Sequence, residues 1–163
     1  MLFLLATPEY SNVQANTTRV KVHLRNGVAE IYDKHQDLMG KVENNLVEIE
    51  TNFENKIQKF VFIVQDAVFV VSNKGLDKDS ETEETGIYVY AKRAVEIGPT
   101  LSIDALSKEY DEKKEILDRE IDKAVEINKE PGKVNRVLNS RILLLQEDVE
   151  FIRRSLIILR DMK

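Results

Sequence analysis

Two histidines make up the whole imidazole complement of this 163-residue chain, and cysteine is absent. Composition therefore excludes a thiolate nucleophile, a disulfide and a cysteine-based metal site. His23 alternates with Val22 and Leu24 in 18-TRVKVHL-24, which predicts a solvent-facing ring. His35 lies in the polar corner 32-YDKHQD-37, flanked by Asp33 and Asp37. Histidines this far apart, each without local ligands, make a weak zinc pair. The corner's side chains are better suited to holding a turn through hydrogen bonds to backbone. Phosphate chemistry fares no better, because the six glycines are scattered singly, with no glycine-rich loop ahead of a helix. No serine sits in a nucleophile-elbow motif, and most carboxylates fall in charge runs that read as solvated surface. No catalytic residue, metal ligand or cofactor is expected.

The bulk numbers point the same way. With 42% hydrophobic and 33% charged residues the chain can form a packed core. A net charge of -5 argues against a nucleic-acid binder, which needs a concentrated basic face. The start, 1-MLFLLATPEY-10, is apolar only briefly and lacks a basic flank, so no signal peptide is expected. No stretch approaches the ~20 apolar residues of a bilayer span. The chain is expected to be soluble by itself, working at a membrane only as part of something larger.

The elements that would position any functional surface differ between the two ends of the chain. Up to about Gly98 the apolar signal is strand-like, in 2-LFLLA-6, 18-TRVKVHL-24, 28-VAEIY-32, 44-NNLVEIET-51, 57-IQKFVFIVQ-65, 67-AVFVVS-72 and 86-GIYVYAKRAVEI-97. Leu46 and Ile49 fall out of phase, which predicts a twist or bulge. Gln65 and Asp66 predict a tight hairpin between the two strongest strands, and 76-LDKDSETEET-85 an exposed loop. Six to nine short strands in under a hundred residues predict a sandwich or a partly open barrel.

Beyond Pro99 the period changes. Ile103, Leu106, Tyr110, Leu117, Ile121, Ala124 and Val125 keep a three-and-four rhythm, with Ser102 placed to cap the start. Pro131-Gly132 breaks the run. A second helix, from about Val134, carries Leu138, Ile142, Leu145, Val149, Ile152, Leu156 and Leu159 at heptad spacing. Leu143, Leu144, Phe151, Ile157 and Ile158 widen that face, which asks for a further partner. The fold class is α+β: an N-terminal antiparallel β-sandwich over residues 1–98, then a C-terminal antiparallel helical hairpin over residues 99–163.

This order of elements resembles the epsilon subunit of F-type ATP synthase, called delta in mitochondria. Motif support comes from 4-LLATPE-9, from 20-VKV-22, from Gly27, Val28, Ile31, His35 and Leu38, from 46-LVEI-49 and from 60-FVFIVQDAVFVVSNK-74. The chain departs from the family at Ala29, Glu30, Gln65, Asp66 and Ala67, where glycines are usual. At 103-IDALSK-108 it has Ser107 and Lys108 in place of the Arg-Ala of ATP-binding members. Lysine lacks the planar fork of arginine, so no nucleotide is expected there.

The resemblance implies a non-catalytic central-stalk subunit that couples rotor torque to ATP synthesis or hydrolysis and restrains hydrolysis through a mobile hairpin. It implies contacts with a rotor shaft (gamma) subunit, with membrane c-ring loops and with catalytic head subunits. It also implies a peripheral place on the cytoplasmic face of a bacterial plasma membrane or the matrix or stromal face in an organelle. Residues 27–39 are the expected adhesive corner, with Ile31, His35, Leu38 and Met39 at the interface, and Arg153 and Arg154 are the candidates on the second helix. Phe3, Val22, Ile31, Leu38 and Leu46 are expected in core or interface. The arginines of the second helix, Arg136, Arg141, Arg153, Arg154 and Arg160, equally suit pairing with the acidic first helix inside the hairpin. The rival reading is a free-standing adaptor that binds partners or oligomerises through the hairpin.

Overall fold

The computed structural model describes residues 1–8, 13–54, 56–73, 84–98, 101–127 and 135–162. The chain divides into two compact units, Met1–Thr100 and Leu101–Lys163.

The first unit is a sandwich of two five-stranded sheets. Its strands are β1 (Leu2–Ala6), β2 (Val13–Asn16), β3 (Arg19–Leu24), β4 (Gly27–Ile31), β5 (Leu38–Val42), β6 (Asn45–Phe53), β7 (Lys56–Gln65), β8 (Ala67–Ser72), β9 (Gly86–Tyr90) and β10 (Arg93–Glu96). Sheet A runs β2-β1-β9-β8-β5 and sheet B runs β10-β7-β6-β3-β4. The pairings are antiparallel except β1–β9, which is parallel. Because successive side chains alternate between faces, Phe3, Leu5, Phe69, Val71, Ile87 and Val89 of sheet A point inward. They meet Val20, Val22, Val47, Ile49, Phe62 and Val64 of sheet B in one dry core.

Three expectations need correction. The runs on either side of Asp66 do not form a hairpin: β7 pairs with β6 and β10, while β8 pairs with β5 and β9. Asp66, at φ 45°, turns the chain from one sheet to the other. The run 86–97 is likewise two strands, split at Ala91 and Lys92, whose N–H groups donate to the carbonyls of Ala6 and Gln65. Finally, β6 and β7 pair one to one from Asn45↔Val64 to Phe53↔Lys56 without a bulge. Leu46 and Ile49 look out of phase because both faces of β6 carry apolar residues there.

Two glycines are fixed by aromatic rings that cover them. A Cβ on Gly40 would lie 2.4 Å from Cε1 of Phe69, its cross-strand partner, and one on Gly86 would lie 2.3 Å from the hydroxyl of Tyr88. In each case the ring fills the space a side chain would need.

The second unit holds α1 (Ile103–Ile127) and α2 (Arg136–Asp161). Ser102 Oγ accepts the Ala105 N–H at 3.4 Å, and Asn135 Oδ1 accepts the Leu138 N–H at 3.0 Å, so each helix begins on a side-chain cap. Lys113 meets Asp148 at 2.5 Å, and Glu120 meets Arg141 at 3.9 Å. As the α1 partner advances one heptad the α2 partner retreats one, so the helices run antiparallel. The Pro131-Gly132 break and most of the 76–85 stretch lie outside the described residues.

Candidate functional site: an apolar sheet face beside a stapled corner

The corner joins β4, the edge of sheet B, to β5, the edge of sheet A, and so closes one side of the sandwich. Its backbone is held by two side chains from elsewhere in the chain. Thr85, fully buried, accepts the Lys34 N–H at 2.8 Å, and its hydroxyl lies 2.8 Å from Asn73 Oδ1 and 3.1 Å from Asp33 Oδ1. Asn73 donates its amide nitrogen to the His35 carbonyl at 2.6 Å and its backbone N–H to Asp37 Oδ1 at 3.0 Å. Lys34 takes a left-handed φ of 60°, a conformation that needs such support in a residue with a Cβ. His35 Nδ1 donates to the Gln36 carbonyl at 2.8 Å. Its ring serves the turn, and among the described residues no group of three His, Cys, Asp or Glu converges to hold a metal.

Beside this corner the outer face of sheet A is apolar across β1, β9, β8 and β5, while the edge strand β2 adds the polar Gln14 and Asn16. Register places Leu4, Tyr88, Val70 and Met39 in one row across β1, β9, β8 and β5. Ala6, Tyr90, Val68 and Lys41 form the next. Met39 is 73% exposed, with Tyr90 and Val68 also open. Lys41 is the one charge in these rows, and it pairs with Glu43 and Asp66 at the margin. A half-solvated antiparallel sheet normally alternates apolar with polar, so a face this apolar suits a partner surface.

Sheet B shows the ordinary alternative. Its outer face over β4, β3 and β6 is a lattice of charges, with Arg19 on Glu50 at 2.6 Å and Lys21 on Glu30 at 3.8 Å. Glu48 is gripped by Lys59 and by His23 Nε2, the latter at 2.5 Å. His23 is thus half-buried against a carboxylate instead of free in solvent. Burial pushes the Glu48 carboxyl up, but the hydrogen bonds and charges of Lys59 and His23 outweigh it and hold it below the ordinary carboxylate range. Such a face satisfies itself.

The expected interface residues separate by burial. Met39 and Leu38 are exposed and His35 is half-buried, all within or next to the corner. Ile31 is fully buried in the core opposite Val20, so it supports the corner from below and presents no surface. Phe3 and Val22 are likewise core, while Leu46 is half-buried on the outer face of sheet B. Arg153 and Arg154 are exposed on α2 in the other unit. Arg153 forms a two-pronged pair with Glu150 on its own helix, both bonds at 2.8 Å. That hydrogen-bonded pair holds the Glu150 carboxyl below its usual range. Arg153 and Arg160 line a groove of ≈ 410 Å³ with Ser107, Tyr110, Asp111, Leu156 and Ile157. Of the five arginines, Arg141 reaches an acid of α1, the buried Glu120. The sheet A face itself was legible as the second apolar parity of β1, β8 and β9.

Comparison with known protein families finds no match, and comparison with curated proteins finds none. Among solved structures, the chain is similar to one from the Euglena gracilis mitochondrial ATP synthase, determined as an OSCP/F1/c-ring assembly, with a TM-score of 0.53 and 12% identity. The likeness covers 94% of this chain and 79% of that one. A chain of the Tetrahymena thermophila mitochondrial ATP synthase, from a central stalk and c-ring structure, gives a TM-score of 0.44 at 8% identity over 95% of both chains. At these identities the Euglena likeness establishes a shared fold.

Proposed function

We propose that the chain is a non-catalytic central-stalk subunit of a rotary ATP synthase, equivalent to the epsilon subunit of F-type enzymes. The observation that carries the reading is the apolar outer face of sheet A, which fits a permanent protein partner better than water. The fold shared with a chain of the Euglena assembly agrees with that reading. In this view the rotor shaft packs on the exposed Met39, Val68 and Tyr90 of sheet A. The corner at 32–37, stapled by Thr85 and Asn73, meets the c-ring loops. A torque-bearing part needs stiffness, which a sandwich with an internally satisfied backbone supplies. The hairpin meets the catalytic head and restrains hydrolysis. No helix among the described residues is long and apolar enough to cross a membrane, which fits a peripheral member of a membrane complex.

The test is recovery of the tagged chain from detergent-solubilised native membranes, beside a Met39→Glu, Val68→Glu double variant. Both positions are exposed, so the variant should fold normally. Wild type should bring down a coiled-coil shaft subunit with ATPase head subunits, and the variant should lose them. Recovery of the chain alone from wild type would refute the stalk assignment. One observation favours the adaptor reading: Val137, Leu143 and Leu144 are 80%, 57% and 55% exposed on α2. A stable homo-oligomer without ATPase subunits would establish it.

A further inference from the structure

The turn between β3 and β4 holds the one Asn-Gly step of the sequence, Asn26-Gly27. Leu24 pairs with Gly27, so Arg25 and Asn26 alone make the loop. Residues 25–28 are all exposed. Gly27 takes a φ of 151°, which side chains rarely adopt, so the turn itself calls for glycine after this asparagine. Beyond its chain neighbours, nothing lies within 4 Å of where a Cβ on Gly27 would stand. β4 is the outermost strand of sheet B and pairs there only with β3, so its first residues open at little cost. Other asparagines are engaged: Asn45 Oδ1 accepts the Leu46 N–H, Asn73 staples the corner and Asn135 caps α2.

We propose that Asn26 is a site of spontaneous covalent modification, passing through a cyclic imide to aspartate and isoaspartate. Asparagine is a thermolabile residue, most of all before glycine, whose nitrogen approaches with no side chain in the way. In a local opening of the turn, the Gly27 nitrogen attacks Cγ of Asn26. A C–N bond forms, the Cγ–Nδ2 bond breaks, and Nδ2 leaves as ammonia with the Gly27 amide proton. Water then opens the imide at one of its two carbonyls. Breaking the new Cγ–N bond gives aspartate. Breaking the original peptide bond gives isoaspartate, whose main chain runs through Cβ and Cγ. Both products add a negative charge beside Arg25, and isoaspartate also lengthens a two-residue loop. Loop length sets hairpin register, so the pairs from Leu24↔Gly27 to Val22↔Ala29 loosen. β4 ends at Ile31, where the 32–37 corner begins, so ageing at Asn26 softens one support of that corner. The inference does not rest on the stalk assignment.

The experiment ages the purified full chain in mildly alkaline buffer, native and in urea, and follows each asparagine by peptide mass spectrometry. Isoaspartate is read separately, by methyl transfer from S-adenosylmethionine with an isoaspartyl methyltransferase. In the native chain Asn26 should convert ahead of Asn45, Asn73 and Asn135, with an isoaspartate signal that is lost in Asn26→Ser. The aged chain should show faster amide exchange across β4. Fresh Asn26→Asp, which adds the charge without lengthening the loop, should not. An Asn26 that stays intact in the native chain would overturn the proposal, and conversion in urea alone would show that the fold guards the step. Aspartate without isoaspartate, or exchange across β4 as fast in Asn26→Asp as in the aged chain, would overturn it too.

Discussion

Thr85→Val tests whether the corner is stapled as described. Valine keeps the shape of threonine and removes the hydroxyl that accepts the Lys34 N–H at 2.8 Å and bonds toward Asn73 and Asp33. Stranding a buried donor costs about 1–3 kcal/mol, and the lost hydroxyl proton removes roughly one more ordinary bond. Because Asp33 and Lys34 are exposed, water recovers part of this, and the net loss should be about 2 kcal/mol. Urea unfolding followed by circular dichroism should show a lower midpoint at unchanged slope. Amide exchange at Lys34 should quicken by about 30-fold, the equivalent of that free energy. A midpoint within error of wild type, with Lys34 exchange unchanged, would refute the staple and with it the rigidity assigned to the corner.

Glu48→Gln probes the clasp on sheet B. The Glu48 carboxyl is held low in the folded state, so its contribution is present above the ordinary carboxylate pKa of about 4.3 and vanishes as pH falls through the folded value. The variant should be about 1–2 kcal/mol less stable at pH 7, with a gap that narrows as pH falls below the ordinary carboxylate range and closes below the lowered folded value; a gap that does not narrow with falling pH would contradict the assignment. Gly40→Ala forces a methyl against the Phe69 ring and should cost about 1–3 kcal/mol, read from urea midpoints. Leu144→Ser on the exposed stretch of α2 should leave stability within about 0.5 kcal/mol. A loss well above that would mean the stripe is covered.

How much was legible depended on whether a signal was local. Period separated sandwich from hairpin, and Ser102 announced the first helix, because strand alternation and capping are properties of neighbouring residues. Sheet membership was not legible. The run through Val64, Gln65, Asp66 and Ala67 is equally apolar on either side of the turn, so nothing nearby says that the chain changes sheets there. β2 and β5 were missed because four or five residues such as 13-VQAN-16 and 38-LMGKV-42 carry too little periodicity. His23 was placed in solvent because Glu48 and Lys59, its surroundings, arrive from two later strands. Glu120 shows the same effect in the hairpin. It sits on the inward stripe between Leu117 and Ala124, and its charge is met by Lys123 and by Arg141 across the helix pair.

The parallel pairing of β1 with β9 sets the order in which this chain can be finished as it is made. β1 occupies the second place in sheet A, between β2 and β9, and its inner neighbour is encoded more than eighty residues later. Until β9 emerges, β1 and β2 form an isolated ribbon with Phe3 and Leu5 uncovered, and β8 waits with an open edge. Closing such a distant contact is slow, and open strand edges invite wrong pairing. Of the strands of this sandwich β1 is made earliest yet is among the last to be locked in place, and its edge stays open to wrong pairing until residue 90 is available.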